Sequence, residues 1–497
     1  MMHTSNLHLP GRAAIFAEQT AIIDRTGTYT YRQLLHAAHT IARNLVAGPG
    51  AFPGPVLCVA PSGFNYVALQ WGVWLAGGIA VPVHPAHPVA EIQYLVADTG
   101  AALLLYDEAC SGVALAAAPA LARPLAAVLN ETVAVTLPDV TETADALMIY
   151  TSGTTGKPKG VVMSHAHIAA QVNSLSLAWQ WQAADRIINV LPMHHVHGII
   201  NVLCCALYNG AVCEMEPGFD AGHVMERMCS GQLTLFMAVP TIYHKLISFY
   251  HSQSPAVQQR WSLAMQAMRL MVCGSAALPV PVLEQWKAIS GHTLLERYGM
   301  TEIGMALSNP LSGLRKPGYV GLPLPGVQVA LHDEAGRAIL GAGVPGELYV
   351  SGPTVFERYW NRPEATATAF ANGWFKTGDI AQRDADGYYK ILGRSSQDII
   401  KSGGYKVSAL EIEEVLLAHP GVKECAVVAL PDEQWGEVIA AVWVAEAGAG
   451  QPDALPESWL KSQLAPYKIP RKWLRVTALP RNAMGKTIKP DVRKLLH

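Results

Sequence analysis

The sequence has little of three features that would each assign it to a well-defined class of protein. Its formal net charge is only -2, whereas nucleic-acid-binding proteins usually carry a strong basic excess. Its eight cysteines are scattered without a Cys-x-x-Cys pair, which argues against a disulfide framework or a zinc site and indicates reduced thiols. The most apolar long window, residues 196–213, contains polar residues and glycines and is too short and too polar to span a bilayer, so it is expected to be buried core.

The start of the chain also lacks a recognisable targeting pattern. Residues 1–16 show neither the charged and apolar regions of a signal peptide nor an Arg- and Ser-rich transit sequence. With the reduced cysteines, this predicts a cytoplasmic location. At 497 residues and 51% hydrophobic content, the chain is expected to fold into a few domains and not to be disordered.

Short apolar runs alternate with helical patterns through much of the chain. Helices are predicted at residues 66–76 and 91–97, and the segment 110–143 is expected to be a surface connection. Such alternation is typical of a parallel sheet covered by helices, so the predicted fold class is α/β. Strands are predicted at residues 55–60, 80–83, 101–106, 187–191, 233–239 and 270–273.

Residues 151–160, with the sequence TSGTTGKPKG, form the most informative stretch. Glycines allow tight turns and close backbone approach, while hydroxyls and lysines supply donors and positive charge, a combination typical of a phosphate cradle. The P-loop of ordinary NTPases would need Gly at position 151 and Ser or Thr at 158, where this chain has Thr151 and Pro158. The stretch instead resembles the signature loop of the adenylate-forming, acyl-activating enzymes. A plain solvated turn is the alternative.

A second motif, residues 296–302 with the sequence ERYGMTE, resembles the Tyr-Gly-x-Thr-Glu string of the same family. The resemblance implies that Tyr298 stacks against adenine, Thr301 contacts the α-phosphate and Glu302 holds Mg²⁺. The last role suits a hard cation, which prefers carboxylate and phosphate oxygens. The local alternative is the acidic start of a helix capped by Thr301.

Arg297 carries the expectation about the substrate. A buried guanidinium without an anionic partner would be costly, so an anion should meet it. One candidate is the neighbouring Glu296, in a structural salt bridge. The other is the second carboxylate of a dicarboxylic acid, which the planar guanidinium could bind in a bidentate manner.

The stretch 192–198, with the sequence PMHHVHG, holds three histidines, but no further ligand set follows at zinc spacing, so a metal site is not expected. In the family the similar stretch lines the acyl pocket, and His194 stands where an aromatic ring is commoner, which suggests a polar acid. Histidines hydrogen-bonded inside the core are the alternative. With residues 274–279, which resemble the family's adenine-binding loop, and 295–302, these residues resemble the malonyl-CoA synthetase branch, which includes enzymes that accept methylmalonate.

The pattern of helices and strands predicted for about the last hundred residues differs from that of the rest of the chain. The resemblance implies a large N-terminal domain at residues 1–394, of mixed sheets with covering helices, a hinge at 395–398 and a small mobile α+β domain at 399–497. The hinge residue itself is not assigned to one position, because the segment Ser396-Gln397-Asp398 contains an insertion relative to some family members.

The resemblance also assigns the site residues. The predicted catalytic residues are Lys486, Thr301, Glu302 and His195, with Lys486 bridging the attacking carboxylate and the α-phosphate. The predicted metal ligands are Glu302 and Thr155. The predicted substrate-binding residues are Arg297, His194, His195 and Ser275. The predicted CoA-binding residues are Lys401, Ser402, Gly403 and Gly404. The predicted ATP-binding residues are Thr151, Ser152, Gly153, Thr154, Thr155, Gly156, Lys157, Lys159, Gly274, Ser275, Ala276, Glu296, Tyr298, Gly299, Met300, Thr301, Asp379, Arg394 and Lys486, where the Asp379 carboxylate can accept both ribose hydroxyls.

The implied activity is an ATP- and Mg²⁺-dependent acid–thiol ligase that adenylates malonate, with methylmalonate as an alternative, and passes the acyl group to coenzyme A. The products would be malonyl-CoA, AMP and pyrophosphate. The predicted partners are small molecules, without nucleic acid or a membrane span, and the oligomeric state is open. The alternatives are a synthetase for another short acid, an enzyme that loads a carrier protein, and a nucleotide-binding regulator without catalysis.

Overall fold

A computed structural model describes residues 8–47, 54–129, 134–151, 157–402, 405–432, 434–446, 455, 457–481 and 486–496. The strands are β1 (Thr20–Asp24), β2 (Gly27–Thr30), β3 (Pro55–Val59), β4 (Ile79–Val83), β5 (Leu103–Tyr106), β6 (Ala122–Pro124), β7 (Asp145–Thr151), β8 (Lys159–Ser164), β9 (Arg186–Asn189), β10 (Val212–Met215), β11 (Leu235–Ala238), β12 (Leu270–Cys273), β13 (Leu295–Met300), β14 (Gly304–Ser308), β15 (Leu322–Pro323), β16 (Gln328–His332), β17 (Gly346–Ser351), β18 (Arg358–Tyr359), β19 (Phe370–Ala371), β20 (Trp374–Arg383), β21 (Tyr389–Arg394), β22 (Ile399–Ser402), β23 (Tyr405–Ser408), β24 (Val422–Asp432), β25 (Gly436–Ala445) and β26 (Lys472–Arg475).

Helices cover the faces of these strands. They are α1 (His8–Ala13), α2 (Tyr31–Ala47), α3 (Phe64–Leu75), α4 (Val89–Thr99), α5 (Ser111–Ala117), α6 (Leu125–Leu129), α7 (His165–Trp179), α8 (Cys205–Tyr208), α9 (Ala221–Met228), α10 (Pro240–His251), α11 (Pro255–Met265), α12 (Val280–Ser290), α13 (Pro363–Ala369), α14 (Ala409–Leu417), α15 (Glu457–Gln463) and α16 (Lys489–Lys494), together with a π-helix, His197–Cys204.

Two large sheets form the body of the first 360 residues. Sheet 1 has the strand order β15-β14-β13-β12-β11-β9-β10-β1-β2, and sheet 2 the order β18-β8-β7-β4-β3-β5-β6. Within sheet 1 the strands from β13 to β1 are parallel, and β3 to β7 are parallel in sheet 2. Strand β12, with the sequence LMVC, is buried along its whole length, as expected for a parallel strand covered on both faces.

The hydrophobic core is layered around these sheets. The largest cluster joins Ile41 of α2, Trp71 of α3 and Val172 of α7 with strand residues of both sheets, such as Ile187 and Leu147. These helices therefore lie between the two sheets. Separate clusters on the outer faces contain residues of α9 to α12 on sheet 1 and of α4 and α5 on sheet 2. The mixed α/β fold class is confirmed.

Two smaller sheets follow. Sheet 3 has the order β16-β17-β20-β19 with β21 beside β20, and sheet 4 the order β23-β22-β25-β24 with β26 beside β25. Sheet 3 thus ends at Arg394 and sheet 4 begins at Ile399. Alternate residues of β25 enter two clusters on opposite faces of sheet 4, so this part of the chain has a core of its own. The division into domains at residues 395–398 stays a prediction.

Two expectations from the sequence are wrong. The segment 110–143 is not only a surface connection, because it contains α5, α6 and strand β6, which pairs in parallel with β5 at the edge of sheet 2. Its Ala-rich composition hid this periodicity. Thr301 does not cap a helix, because β13 and β14 are antiparallel neighbours and residues 301–303 form the turn between them.

Two further features of the described structure are its lack of membrane-spanning helices and the state of its cysteines. In the described parts of the chain, no helix is long and apolar enough to cross a membrane. All eight cysteines are free thiols. For the six that are fully buried, burial is the main cause of a raised thiol pKa, as it is for Cys58 and Cys204. Such thiols are packing residues, since a protonated buried thiol is a poor nucleophile.

Candidate active site

The parallel strands of sheet 1 bring three sequence-predicted segments to one edge. The histidine stretch follows β9, residues 274–276 follow β12, and Arg297 lies on β13 next to β12. Ligands of parallel α/β sheets bind at the carboxyl ends of strands. The structure therefore places the predicted acyl pocket and the predicted adenine loop side by side.

Arg297 is buried, with 3% of its surface exposed, and its charge has no carboxylate partner among the described residues. Its Nη2 donates to Ser275 Oγ at 3.4 Å, and its Nε has no hydrogen-bond partner in the described part of the chain. Burial lowers the pKa of this guanidinium to about 10, which still leaves it charged at neutral pH. A buried charge of this kind is stable only with a counter-charge, so the geometry favours an anionic ligand.

The alternative that Arg297 pairs with Glu296 is wrong. Consecutive strand residues point to opposite faces, and the two side chains form no ion pair. Burial raises the pKa of Glu296 to about 8, so this carboxyl is mostly protonated at neutral pH. Its Oε2 has no partner among the described residues, and its role in ATP binding stays a prediction.

Small residues after β12 make room for the guanidinium. A Cβ on Gly274 would lie 2.7 Å from Arg297 Cζ, so any larger residue would displace the arginine. Ser275 has a φ of 71°, a left-handed conformation that is uncommon outside glycine. Its hydroxyl oxygen lies 3.2 Å from His197 Nδ1, so Ser275 connects the arginine to the histidine stretch. Ser275 and Ala276 are exposed towards solvent.

Four imidazole rings form a cluster beside this pocket. The ring of His194 lies 4.1 Å from that of His195, 4.8 Å from that of His84 and 5.2 Å from that of His87. Burial, reinforced by the neighbouring rings, lowers the pKa of His194 to about 2 and that of His195 to about 4, so both are neutral.

The cluster does not fit the alternative of histidines that are fully hydrogen-bonded in the core. His194 Nδ1, His195 Nε2 and His197 Nε2 are buried without a partner among the described residues. Within the same ranges, no group of His, Cys, Asp and Glu side chains has the arrangement of a metal site. The rings therefore offer polar atoms to a ligand while adding no charge.

The predicted ribose and phosphate residues form a second group, on sheet 3 and the end of β13. Tyr298 donates its hydroxyl hydrogen to Asp379 Oδ2 at 2.5 Å, and Arg394 Nε donates to Asp379 Oδ1 at 3.0 Å. Each carboxylate oxygen keeps a further lone pair, so Asp379 can still accept a ribose hydroxyl. Stacking of the Tyr298 ring against adenine stays a prediction.

Lys486 interacts electrostatically with Arg394 and Asp379 of this second group. The surrounding protein lowers its pKa, and the positive charge of Arg394 lowers it further, while the Asp398 and Asp379 carboxylates oppose that shift. By surface area Lys486 is nonetheless an exposed residue. The structure thus brings four predicted site residues together: Lys486, Arg394, Asp379 and Tyr298.

Glu302 lies in the turn after β13 and is the predicted cation ligand. It is buried, burial raises its pKa, and its Oε1 accepts a hydrogen bond from the Tyr359 hydroxyl at 3.1 Å. Lys159 Nζ lies 5.1 Å from the centre of the Tyr359 ring. A cation would restore the charge of a carboxylate that burial disfavours, so Glu302 fits Mg²⁺ as one ligand beside nucleotide phosphates. The neighbouring Thr301 is also buried.

The two ends of the signature loop lie on paired neighbouring strands. Thr151 ends β7 and pairs with Lys159, which begins β8, so the loop joins two antiparallel strands. Lys157 Nζ lies 5.5 Å from the Tyr94 ring.

A Cβ on Gly299 would lie 2.1 Å from the Gly304 carbonyl oxygen, which explains glycine at that position of the hairpin before Met300. Seven predicted residues lie outside the described part of the chain: Ser152, Gly153, Thr154, Thr155, Gly156, Gly403 and Gly404.

The predicted CoA-facing residues on β22 show nothing that marks a ligand site. Ser402 is buried, and Lys401 is exposed while its backbone N–H donates to Glu437 Oε2 at 2.6 Å. Their role stays a prediction.

The sequence interpretation missed several residues of the site. His84 and His87 belong to the segment after β4, and nothing in their spacing indicates that they meet His194. The Tyr359 hydroxyl reaches Glu302 across 57 positions of sequence. Such pairings depend on tertiary contacts and leave no local pattern.

Comparisons with known proteins agree with this geometry. A family model described as AMP-binding enzyme matches residues 10–360, and one described as AMP-binding enzyme C-terminal domain matches residues 411–486. The mitochondrial malonate–CoA ligase ACSF3 of Mus musculus is 43% identical, over 98% of this chain and 90% of the relative. The malonate–CoA ligase of Arabidopsis thaliana is 40% identical, over 97% of this chain and 88% of the relative.

Solved structures give the same result. ATP-bound MatB from Rhodopseudomonas palustris superposes with a TM-score of 0.89 at 33% identity, covering 98% of both chains. O-succinylbenzoate coenzyme A synthetase (MenE) from Bacillus subtilis, in complex with ATP and a magnesium ion, has a TM-score of 0.84 at 27% identity, covering 98% of this chain and 99% of the other.

Proposed function

Since the chain belongs to the AMP-binding enzyme family, we propose that it is an ATP-dependent ligase that joins malonate to coenzyme A. The predicted family, the enzyme class of AMP-forming acyl-CoA synthetase and the use of ATP, Mg²⁺ and coenzyme A are confirmed at the level of the family. The identity of the acid and the roles of single residues are the proposed part.

The observation that carries the choice of acid is the buried Arg297, whose charge meets no carboxylate among the residues that the structure describes. Its Nε, without a hydrogen-bond partner in that part of the chain, and its Nη2, shared with Ser275 at 3.4 Å, form a guanidinium edge suited to a carboxylate. A monocarboxylic acid would bring only the carboxylate that reacts and would leave this charge unmatched. Malonate brings a second carboxylate close to the first. The names of the relatives support the same acid.

The reaction has two steps because a carboxylate is a poor electrophile. In the first step a malonate oxygen attacks the α-phosphorus of ATP, and the bond to pyrophosphate breaks. In the second step the thiol sulfur of coenzyme A attacks the acyl carbon, the bond to AMP breaks, and the thiol proton passes to solvent. The protein mainly positions anions and stabilises the charge that develops during transfer.

The described residues supply that stabilisation. Lys486 and Arg394 lie in one electrostatic group, where two cations can face the malonate oxygen and the α-phosphate. Asp379 orients Arg394 and Tyr298 and accepts ribose hydroxyls. Mg²⁺ supplies neutralisation of phosphate charge when it is bound with the nucleotide, and Glu302 is the described residue that would hold it.

Two finer points belong to the same proposal. Methylmalonate adds one methyl group to malonate, and we propose malonate as the preferred acid and methylmalonate as the alternative. The cytoplasm is the proposed compartment. One group of relatives carries the word mitochondrial in its name, so this compartment rests only on the sequence prediction.

The test is pyrophosphate release with ATP, Mg²⁺ and coenzyme A against acetate, propionate, malonate, methylmalonate, succinate and octanoate. The expected result is turnover dominated by malonate. Faster turnover with a monocarboxylic acid would contradict the role given to Arg297. Replacing coenzyme A by an acyl-carrier protein separates this proposal from the carrier-loading alternative, and ATP–pyrophosphate exchange separates it from a regulator without catalysis.

A further inference from the structure

A group of three charged side chains lies beside Arg394 and includes Asp398, the last residue of the predicted hinge. Lys489 Nζ lies 2.5 Å from Asp398 Oδ1 and 2.8 Å from Glu413 Oε1, and the three side chains are 12–15% exposed. We call Lys489, Asp398 and Glu413 the charge clasp. Buried ion pairs have demanding geometry, and removing one partner leaves an uncompensated charge.

Each carboxylate of the clasp is fixed by the backbone. Asp398 Oδ2 accepts the N–H of Arg394 at 2.9 Å, and the Asp398 carbonyl accepts the N–H of Ala409 at 2.7 Å. Glu413 Oε1 accepts the N–H of Val427 at 2.7 Å. Backbone N–H groups thus hold both carboxylates in place, one beside Arg394 and the other on helix α14.

The cation of the clasp belongs to the chain segment that carries Lys486. Lys489 begins α16 and is three residues after Lys486, a separation that an extended chain spans in about 10 Å. Before it, the Ile488 N–H donates to the Pro480 carbonyl, and Arg481 forms a bridge with Thr487. These contacts join the segments on either side of residues 482–485, and the clasp attaches the segment 486–489 beside Arg394.

We propose that Lys489 is a positioning residue for the adenylation step, which holds Lys486 in its place beside Arg394 through its contacts with Asp398 and Glu413. The inference rests on the proposed function, in which Lys486 acts on the malonate oxygen and the α-phosphate. Lys489 itself touches no substrate. Its effect is geometric, because displacement of a catalytic group by about 1 Å can slow a reaction about 10²-fold.

The central variant is Lys489→Met, which keeps the length of the side chain and removes its charge. The conservative variant is Lys489→Arg. The matched control is Lys494→Met, because Lys494 lies on the same helix, is 77% exposed and pairs only locally with Asp491. Asp398→Asn tests the clasp from its other side, and thermal unfolding of each variant checks that the protein is folded.

Two half-reactions are measured separately. The first is the pyrophosphate burst without coenzyme A, with the acid that the panel shows to be best. The second is AMP release from preformed acyl-adenylate and coenzyme A. Lys489→Met is expected to slow the first about 10²-fold and to change the second less than about threefold, whereas Lys489→Arg recovers most of the burst rate. Lys494→Met should leave both unchanged.

The proposal is overturned if Lys489→Met adenylates at the wild-type rate, or if both half-reactions fall equally and Lys489→Arg gives no recovery. Asp398→Asn should have the same effects on the two half-reactions as Lys489→Met. If Lys489→Met does not fold, the result with Asp398→Asn decides whether the proposal stands. A readout without turnover separates this inference from the proposed function. It is the rate at which acetic anhydride modifies Lys486, mapped by peptide mass spectrometry, which should change in Lys489→Met and stay constant in Lys494→Met.

Discussion

The two arginines of the candidate site occupy opposite situations. Arg297 is buried beside the histidine cluster, with an unpaired Nε and no carboxylate partner among the described residues. Arg394 is held by the Asp379 carboxylate at 3.0 Å, and its backbone N–H donates to Asp398. At the first site the described residues supply no counter-charge to the arginine, whereas at the second the arginine is paired with a carboxylate of the protein.

This difference indicates what each region recognises. Unpaired buried donors are costly, so a pocket that contains them is complete only when a ligand accepts those bonds. Charges that are already paired cost less to keep in place, and they orient groups that act on whichever acid is bound. Accordingly, Arg297 should govern the choice of acid, while Arg394, Asp379 and Lys486 should govern the rate for every acid.

The largest effect is expected in the group of paired charges formed by Arg394, Asp379 and Lys486. Lys486→Ala should slow acyl-adenylate formation about 10³-fold for every acid, because the charge that develops in the transition state loses the ammonium proposed to stabilise it. Thioester formation from preformed acyl-adenylate should change little. The measurement is the pyrophosphate burst followed by a separate acyl-adenylate assay, with Lys494→Ala as the control. Equal loss in both assays would remove the assigned role of Lys486.

In the pocket around Arg297, the effect of a substitution on the rate should depend on the acid. Arg297→Ala should lower kcat/KM for malonate about 10²-fold, as expected when one partner of a buried charge pair is lost, and should change acetate far less. Steady-state kinetics with both acids provide the ratio, and Arg260→Ala, at an exposed arginine, is the control. A loss that is the same for both acids would make Arg297 a structural residue.

A smaller effect is expected at Tyr298. Tyr298→Phe removes the hydrogen bond to Asp379 and should raise the KM for ATP about tenfold, because one bond to a charged group contributes roughly 1.5–3 kcal/mol. The ratio of malonate to acetate turnover should not change. Tyr467→Phe, at an exposed tyrosine, is the control. A change in acid preference instead would place Tyr298 in the acyl pocket.

The smallest effect concerns stability and its dependence on pH. Burial raises the pKa of Glu296 from the ordinary value of 4.5 to about 8, so the folded protein keeps a proton that the unfolded chain releases. The free energy of unfolding should therefore fall as the pH rises from 4.5 to 8, and Glu296→Gln should remove that loss.

Thermal unfolding at a series of pH values tests this expectation. The Tm of Glu296→Gln relative to wild type should increase by a few degrees between pH 5 and pH 8. Glu284→Gln, at an exposed glutamate of α12, should show no such trend. A constant difference in Tm would mean that Glu296 is ionised in the folded protein.

Local patterns were sufficient to predict much of the architecture. Continuous apolar runs such as 270–273 gave the right strands because parallel strands are buried on both faces. The segment 110–143 was misread because its many alanines leave little contrast between apolar and polar positions, from which a helical or strand period could be read. The turn at Thr301 was not settled locally, because a Thr-Glu pair also suits the start of a helix.

The site was predictable where one motif carries the chemistry and unpredictable where distant segments meet. Arg297 stood out because it precedes Tyr298 in the family motif and a buried guanidinium needs an anionic partner, but only the structure shows that Glu296 forms no ion pair with it. The contacts of His84 and His87 with His194, and of Lys489 with Asp398, join elements far apart in sequence. No spacing rule predicts such contacts.

The most direct test of the account follows oxygen from the acid into AMP. If a malonate oxygen attacks the α-phosphorus and the thiol later displaces AMP, that oxygen stays on the phosphate. With malonate labelled by ¹⁸O in its carboxylates, mass spectrometry of the AMP formed with coenzyme A should show one ¹⁸O atom per molecule. Unlabelled AMP alongside malonyl-CoA would contradict an acyl-adenylate intermediate and, with it, the roles given to Lys486 and Arg394.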